Sequence, residues 1–390
     1  MDELIVRIAA RGDGVTASGR HAAFAAPGDR LMADGTVAPG PHHQAPPCRH
    51  FPECGGCQLQ HVDDPAYREY LVSRIAGALA QHDLATIIEP PHLSPPYSRR
   101  RATLRALKTG NAAVIGFNSA KSNRIVDLRE CHVLRPELFA LIAPLRGLLG
   151  AMLKPRKIAE IQIALADQGP DLLIRGVGAS GLDQQLELTD FAVAHGLARL
   201  AIDDGIGAET MYEPEPVTIS LSRRPVRLVP GAFLQATADG EAALVEAARK
   251  AVADIGPVAD LFAGLGTFAL ALDSAYAAEA SRDAVAALAQ AAPQTKVEHR
   301  DLYRRPLDAK ELGRFGAIVL DPPRAGAFEQ ISELARSSVE RIAYISCNPA
   351  TFARDAKILA DGGYTLEWVK PVGQFRWSTH VELCAAFSRG

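Results

Sequence analysis

From Thr237 to the last residue the chain alternates helix-length segments with five short apolar runs: Val258 to Phe262, Ala275 to Ala278, Lys296 to His299, Ala317 to Leu320 and Ile342 to Ile345. These runs carry little polar alternation, which is what strands look like when helices cover both faces of a parallel sheet. Leu366 to Val369 and Val381 to Phe387 read as a closing strand pair. The fold class expected is α/β, with a Rossmann-like C-terminal domain over 236–390, an α+β middle domain over 48–235, and a short, incomplete β-module with its linker over 1–47. In such sheets ligands sit beyond the carboxyl ends of the strands, so the residues at those ends matter most.

They are unusual. The run ending at Ile345 continues as Ser346-Cys347-Asn348-Pro349, which delivers one thiol to the sheet edge before Pro349 opens a helix as its first residue. A lone cysteine there is more often a small core residue than a nucleophile, so its neighbours must decide. The first run is followed by Gly264-Leu265-Gly266-Thr267, where backbone can approach a ligand closely and a helix start offers unpaired N–H groups. Glu279 ends the next run, placed to accept ribose hydroxyls; Asp301 and Asp321 follow the two after it. Any one acid could merely cap a helix; all of them together point to a nucleoside-bearing cofactor. The missing triple-glycine pyrophosphate turn favours one without a diphosphate, S-adenosylmethionine, and hence methyl transfer.

A thiol beside a methyl donor has one evident use. Carbon-5 of uracil is a poor nucleophile until a thiolate adds at carbon-6, after which a base must remove the carbon-5 proton. Glu382, next to Val381 and Leu383, is the candidate base, with burial expected to raise its pKa; His380 is its rival.

Cys48, Cys54 and Cys57, the last two flanking Gly55-Gly56, supply three thiolates on a tight loop, and Cys131 can supply a fourth. All-thiolate ligation suits zinc or an iron–sulfur cluster, whereas His50 or His61 as fourth ligand would favour zinc. Cys384 reads as a core residue, and His42 and His43 as exposed loop residues in the stiff linker Pro41 to Pro47.

The 390 residues carry a formal charge of -3, which excludes a broadly basic nucleic-acid binder. RNA would have to be gripped by local patches, Arg99, Arg100, Arg101 and Arg105 or Arg223, Arg224 and Arg227, unless these are solvated strand edges. The first residues lack a signal-peptide pattern and no apolar run reaches membrane-spanning length, so a cytoplasmic location, no membrane partner and a monomer are expected.

In combination the segments CRHFPECGGCQLQH, GAFLQAT, DLFAGLGT, DPPR, SCNP and the terminal Thr379-His380-Val381-Glu382 resemble the S-adenosylmethionine-dependent RNA uracil-C5-methyltransferases, above all the iron–sulfur 23S ribosomal RNA 5-methyluridine methyltransferases. The resemblance runs from Cys48 to the C-terminus. It implies a [4Fe–4S] cluster on Cys48, Cys54, Cys57 and Cys131 in place of zinc. It implies cofactor contacts from Gln235, Phe262, Thr267, Glu279, Asp301 and Asp321, a nucleophile at Cys347 and a proton acceptor at Glu382. The RNA partner implied is 23S ribosomal RNA, with the target uridine turned out of its stack; the same reaction on transfer RNA, or a non-catalytic iron–sulfur RNA-binding protein, are the alternatives. Thr267 stands where the family usually has asparagine, and the first segment is too short for the family's complete β-barrel.

Overall fold

A computed structural model describes residues 2–120, 122–253 and 255–390. The chain divides into two compact units: Met1–Tyr67 with Pro95–Thr218 and Phe375–Thr379, and Arg68–Ser94 with Ile219–Gln374 and His380–Gly390.

The first unit opens with a five-stranded sheet ordered His21–Ala22, Gly14–Thr16, Glu3–Ile8, Arg30–Leu31, Val37–Ala38, within the segment expected to hold a short, incomplete β-module. Two-residue strands leave no alternation to read. Ile5, Ala22, Ala25 and Leu31 form its small core. The linker is tied down rather than free: the His43 ring meets the buried Asp29 carboxylate at 2.7 Å, and His42 meets Asp63 at 3.0 Å. Asp29 also accepts the N–H groups of Ala26 and Gly40, both at 2.7 Å.

The rest of the unit is a six-stranded sheet in the order Glu209–Tyr212, Arg199–Asp203, Gly169–Arg175, Ile158–Ala166, Arg101–Thr109, Ala112–Gly116, packed with helix Ile142–Met152. Strand Arg101–Thr109 buries Ala102, Leu104 and Ala106 and turns Thr103 and Arg105 outward, the period-2 pattern of a half-covered strand. Its arginines do not form one open patch. Arg105 pairs with Glu160 across the ladder at 3.2 Å, Arg100 is buried, and the Arg99 guanidinium lies over the rings of Phe375 and Phe117 at 5.2 and 6.0 Å.

The second unit is built on the sheet that the apolar runs predict. Its strands are β1 (Val258–Leu261), β2 (Tyr276–Glu279), β3 (Lys296–His299), β4 (Ala317–Leu320), β5 (Arg341–Ser346), β6 (Thr365–Gly373) and β7 (Glu382–Ser388). Their spatial order is 3-2-1-4-5-7-6, with β1 to β5 mutually parallel and β7 antiparallel to both β5 and β6. Short strands Ile87–Ile88 and His92–Leu93 extend the edge at β6. Every residue of β4, and Ile342 to Ile345 of β5, is fully buried, which explains their unbroken apolar sequence. Helix Ala238–Val252 starts from Thr237, whose hydroxyl accepts the Gly240 N–H at 3.0 Å, and packs Leu244, Ala248 and Val252 into this core.

Candidate active site

The carboxyl ends of β1, β2, β4 and β5 bring the sequence-predicted residues to one edge. Ladder register aligns Leu261 with Ala278 and Leu320, and Leu320 with Tyr344, so Phe262, Glu279, Asp321 and Cys347 all lie within a few residues of the same level. Gly264 (φ +55°) and Gly266 (φ +94°) shape the turn after β1. A Cβ on Gly264 would meet nothing within 4 Å, leaving open space above the turn, whereas one on Gly266 would come within 2.3 Å of the Leu288 side chain. The first glycine faces open space and the second permits close packing. Thr267 begins the helix behind them.

Glu279 accepts the Gly264 N–H at 2.9 Å and the Ser281 N–H at 2.7 Å, one on each carboxylate oxygen. Each carboxylate oxygen has a further lone pair beyond the one these N–H groups engage. Asp301 does the local work of a cap, accepting from the N–H groups of Tyr303 and Arg304 at 3.0 and 3.3 Å. That turn in turn sets Tyr303 against Phe262, ring centroids 5.5 Å apart, an aromatic wall beside the glycine turn.

Asp321 is gripped from the side by Gln235, whose Nε2 donates to Oδ2 at 3.0 Å, and burial pushes its carboxyl up to about 7. Gln235 is held by Gln374, whose amide donates to Gln235 Oε1 at 2.7 Å and accepts the Ala236 N–H at 2.8 Å. Gln374 is absent from the sequence reading because a glutamine after a strand has no motif to mark it. Asp260, the first residue of DLFAGLGT, has a role that its place in a strand does not reveal. It is fully buried, accepts the Ala269 N–H at 2.7 Å through Oδ2 and leaves Oδ1 without a partner; burial, then Asp321 and Glu279, push its carboxyl far upward.

Cys347 and Glu382 lie just past the end of the antiparallel β5–β7 ladder, close enough for the Glu382 charge to act on the thiol. The last pair of that ladder is Ser346 with Leu383, and Glu382, the residue before Leu383, is 5 % exposed. Cys347 itself stays partly open to solvent. Burial, then the charges of Glu382 and Asp321, raise its thiol to about 11, against the opposing pull of Arg324. Asn348 caps the helix that Pro349 opens, accepting the Ala350 N–H at 3.2 Å.

Within the first unit, Cys48, Cys54, Cys57 and Cys131 line a single small cavity together with Phe117, Gln60 and Val133. Burial raises all four thiols, Cys54 to about 11 and Cys57 to about 12. The two candidate histidines lie elsewhere. His50 uses Nε2 to accept the Arg129 N–H at 2.9 Å, and His61 is buried in a nest of Phe24, Phe51 and His43. Among the described residues no three His, Cys, Asp or Glu side chains close in as they would around one metal ion. Nor does any helix of the described residues have the length and apolarity to cross a membrane. The second arginine patch is also partly engaged, Arg224 pairing with Asp273 at 2.5 Å.

This strand order, with a glycine turn after the first strand and an acid after the second, defines a Rossmann-like methyltransferase domain. Residues 293–389 match the family model described as tRNA (Uracil-5-)-methyltransferase. An uncharacterized RNA methyltransferase of Zymomonas mobilis is 50% identical over 99% of this chain and 99% of its own length. A 23S rRNA (uracil(1939)-C(5))-methyltransferase of Photorhabdus laumondii is 31% identical over 90% of this chain and 84% of its own. The solved structure of the Pyrococcus abyssi tRNA (uracil-54, C5)-methyltransferase with S-adenosyl-L-homocysteine superimposes with a TM-score of 0.76 over 99% of both chains, at 20% identity, a likeness of fold. The chain belongs to the RNA uracil-C5-methyltransferases, enzymes that draw on S-adenosylmethionine and act on RNA.

Proposed function

We propose that the chain methylates carbon-5 of one uridine in 23S ribosomal RNA through a covalent bond to Cys347. The observation that carries the chemistry is the β5–β7 register, whose last pair, Ser346 with Leu383, leaves the partly exposed thiol of Cys347 next to the buried carboxylate of Glu382, close enough for its charge to act on the thiol. The choice of 23S RNA is favoured by the Photorhabdus relative and by the cysteine segment.

S-Adenosylmethionine, when bound, supplies an electrophilic methyl group on a sulfonium. Gln235, Phe262, Thr267, Glu279, Asp301 and Asp321 would hold it, Glu279 through the ribose hydroxyls. Cys347 loses its proton to solvent, and the thiolate sulfur bonds to carbon-6 of the uracil, moving the double-bond electrons toward carbon-5 and oxygen-4. Carbon-5 takes the methyl group. Glu382 then accepts the carbon-5 proton; the electrons of that C–H bond restore the ring double bond and the Cys347 thiolate leaves. The Arg324 charge favours the thiolate, in opposition to Glu382 and Asp321.

Cys48, Cys54, Cys57 and Cys131 would hold a [4Fe–4S] cluster, which would draw the protons from these raised thiols and bind them as thiolates. One feature of the protein fits such a group: the indole N–H of Trp377, packed with Cys57 and Cys131, is buried without an acceptor.

RNA substituted with 5-fluorouridine tests the proposal, since fluorine at carbon-5 blocks the last elimination. The expected result is a denaturation-resistant protein–RNA adduct that requires the methyl donor. With a thiol near 11, the initial rate of adduct formation rises about tenfold per pH unit from pH 6 to 9, because only the thiolate attacks. Absence of an adduct would overturn the covalent route. Mapping 5-methyluridine in ribosomal and transfer RNA from cells with and without the gene decides the target.

A further inference from the structure

We propose that Gln60 is a positioning residue for the cluster, fastened to the Cys48 backbone and offering an N–H to the Cys57 sulfur, and that this bond makes a bound cluster easier to reduce and slower to lose. The inference rests on the reading of Cys48, Cys54, Cys57 and Cys131 as cluster ligands.

Gln60 lines the four-cysteine cavity, is 2% exposed, and belongs with all four cysteines to the first unit. It stands three residues after Cys57. Its Oε1 accepts the Cys48 N–H at 3.2 Å, and its main-chain carbonyl accepts from Gln44 Nε2 at 2.9 Å. The side chain makes a second hydrogen bond, to the Cys57 sulfur, and that bond favours the thiolate. With the amide oxygen turned to a backbone N–H, the group left for the sulfur is the NH2 end, which can only donate. One side chain therefore joins the first cysteine of the segment to the third.

The other three sulfurs take their hydrogen bonds from the backbone: Cys48 from the His50 N–H, Cys54 from the Gly56 N–H, and Cys131 from the N–H groups of Val133 and Leu134. Four sulfurs that all receive donors are arranged to carry negative charge. The Arg99 charge adds to this at Cys57 and Cys131, while the Glu130 carboxylate opposes it at Cys48 and Cys131. Among the described residues no three side chains are placed to share one ion, whereas a cubane spreads its four thiolates over four irons. Reduction adds an electron and deepens the negative charge on the ligand sulfurs, so an N–H bonded to one of them strengthens and favours the reduced state. Cys57 is the one ligand of the four whose donor is a side chain, and hence the one whose donor a substitution can delete. In either redox state the amide also ties Cys57 to the Cys48 backbone, and that tie must open before the loop can release iron.

Two variants of the full chain, loaded with ferrous iron and sulfide, test this. Gln60→Met deletes the amide at equal length; Gln60→Glu keeps an acceptor for the Cys48 N–H and sets an oxygen where the donor stood. Electron paramagnetic resonance at one fixed applied potential reads the ratio of reduced to oxidised cluster, and a chelator follows iron loss from the same samples. For both variants the ratio is expected to fall at least threefold and iron loss to quicken at least fivefold. A merely structural role would quicken iron loss and leave the ratio where it stands in the parent. An unchanged ratio in both variants, or a cluster in neither, would make Gln60 a residue that only shapes the pocket, and overturns the inference. If the unaltered protein takes up no iron and sulfide, the reading of the four cysteines as cluster ligands fails instead.

Discussion

Cys347→Ala is expected to abolish both methylation and every covalent adduct, with activity falling by about 10⁴-fold or more, whereas Glu382→Gln is expected to slow turnover by about 10²- to 10⁴-fold and to accumulate the adduct on ordinary RNA. The two losses differ in kind because the residues act at opposite ends of the reaction. Without the sulfur, carbon-5 never becomes nucleophilic. With the sulfur and without the carboxylate, methyl transfer proceeds and the chain is left bonded to its product. Glutamine keeps the shape and polarity of the side chain at a site that is 5% exposed, so the folded state has little reason to change. A denaturing gel of protein with labelled RNA reads both outcomes at once. Should Glu382→Gln release its product as fast as the parent, His380 or a group supplied by the RNA would have to be the base.

The residues that were readable in advance are those where one local rule acts alone. The apolar runs gave β1, β2, β4 and β5 within a residue, because burial on both faces removes any reason for polar alternation, whereas β3, Lys-Val-Glu-His, is an edge strand that is only partly buried. Pro349 and Asn348 mark a helix start by stereochemistry alone. What stayed hidden depends on partners far away in sequence. Nothing in Gln374 announces that it holds Gln235, 139 positions distant, and nothing around Trp377 announces that a five-residue turn between two strands belongs to the other unit. The arginine run at 99–105 misleads for the same reason: Glu160 and the ring of Phe375, which occupy it, come from remote segments. Charge density along a sequence measures an accessible patch only when no such partner arrives.

Asp321→Asn is expected to stabilise the cofactor-free protein above pH 7 while weakening its hold on S-adenosylmethionine. Burial raises this carboxyl from the ordinary 3.8 to about 7 in the fold, so the folded state prefers it protonated. The sign follows from linkage. Below the unfolded pKa, near 4, the carboxyl is neutral in both states and costs nothing. Between about 4 and 7 the unfolded chain has released this proton while the folded one keeps it, so stability falls across that window and levels off above 7. Three units correspond to on the order of 4 kcal/mol at most, reduced because the side chain keeps some access to solvent. Asparagine carries no charge to penalise and can still accept from Gln235 through its amide oxygen. Urea titrations at pH 4 and pH 8 should therefore give the full gain for the variant at pH 8 and little at pH 4, with isothermal titration showing weaker binding of the positively charged cofactor at both. An equal gain at the two pH values would place the origin of the effect in packing and remove Asp321 from the electrostatics of the pocket. A gain confined to pH 8 that disappears when the cofactor is added would mean that a cation relieves the strain this carboxylate stores.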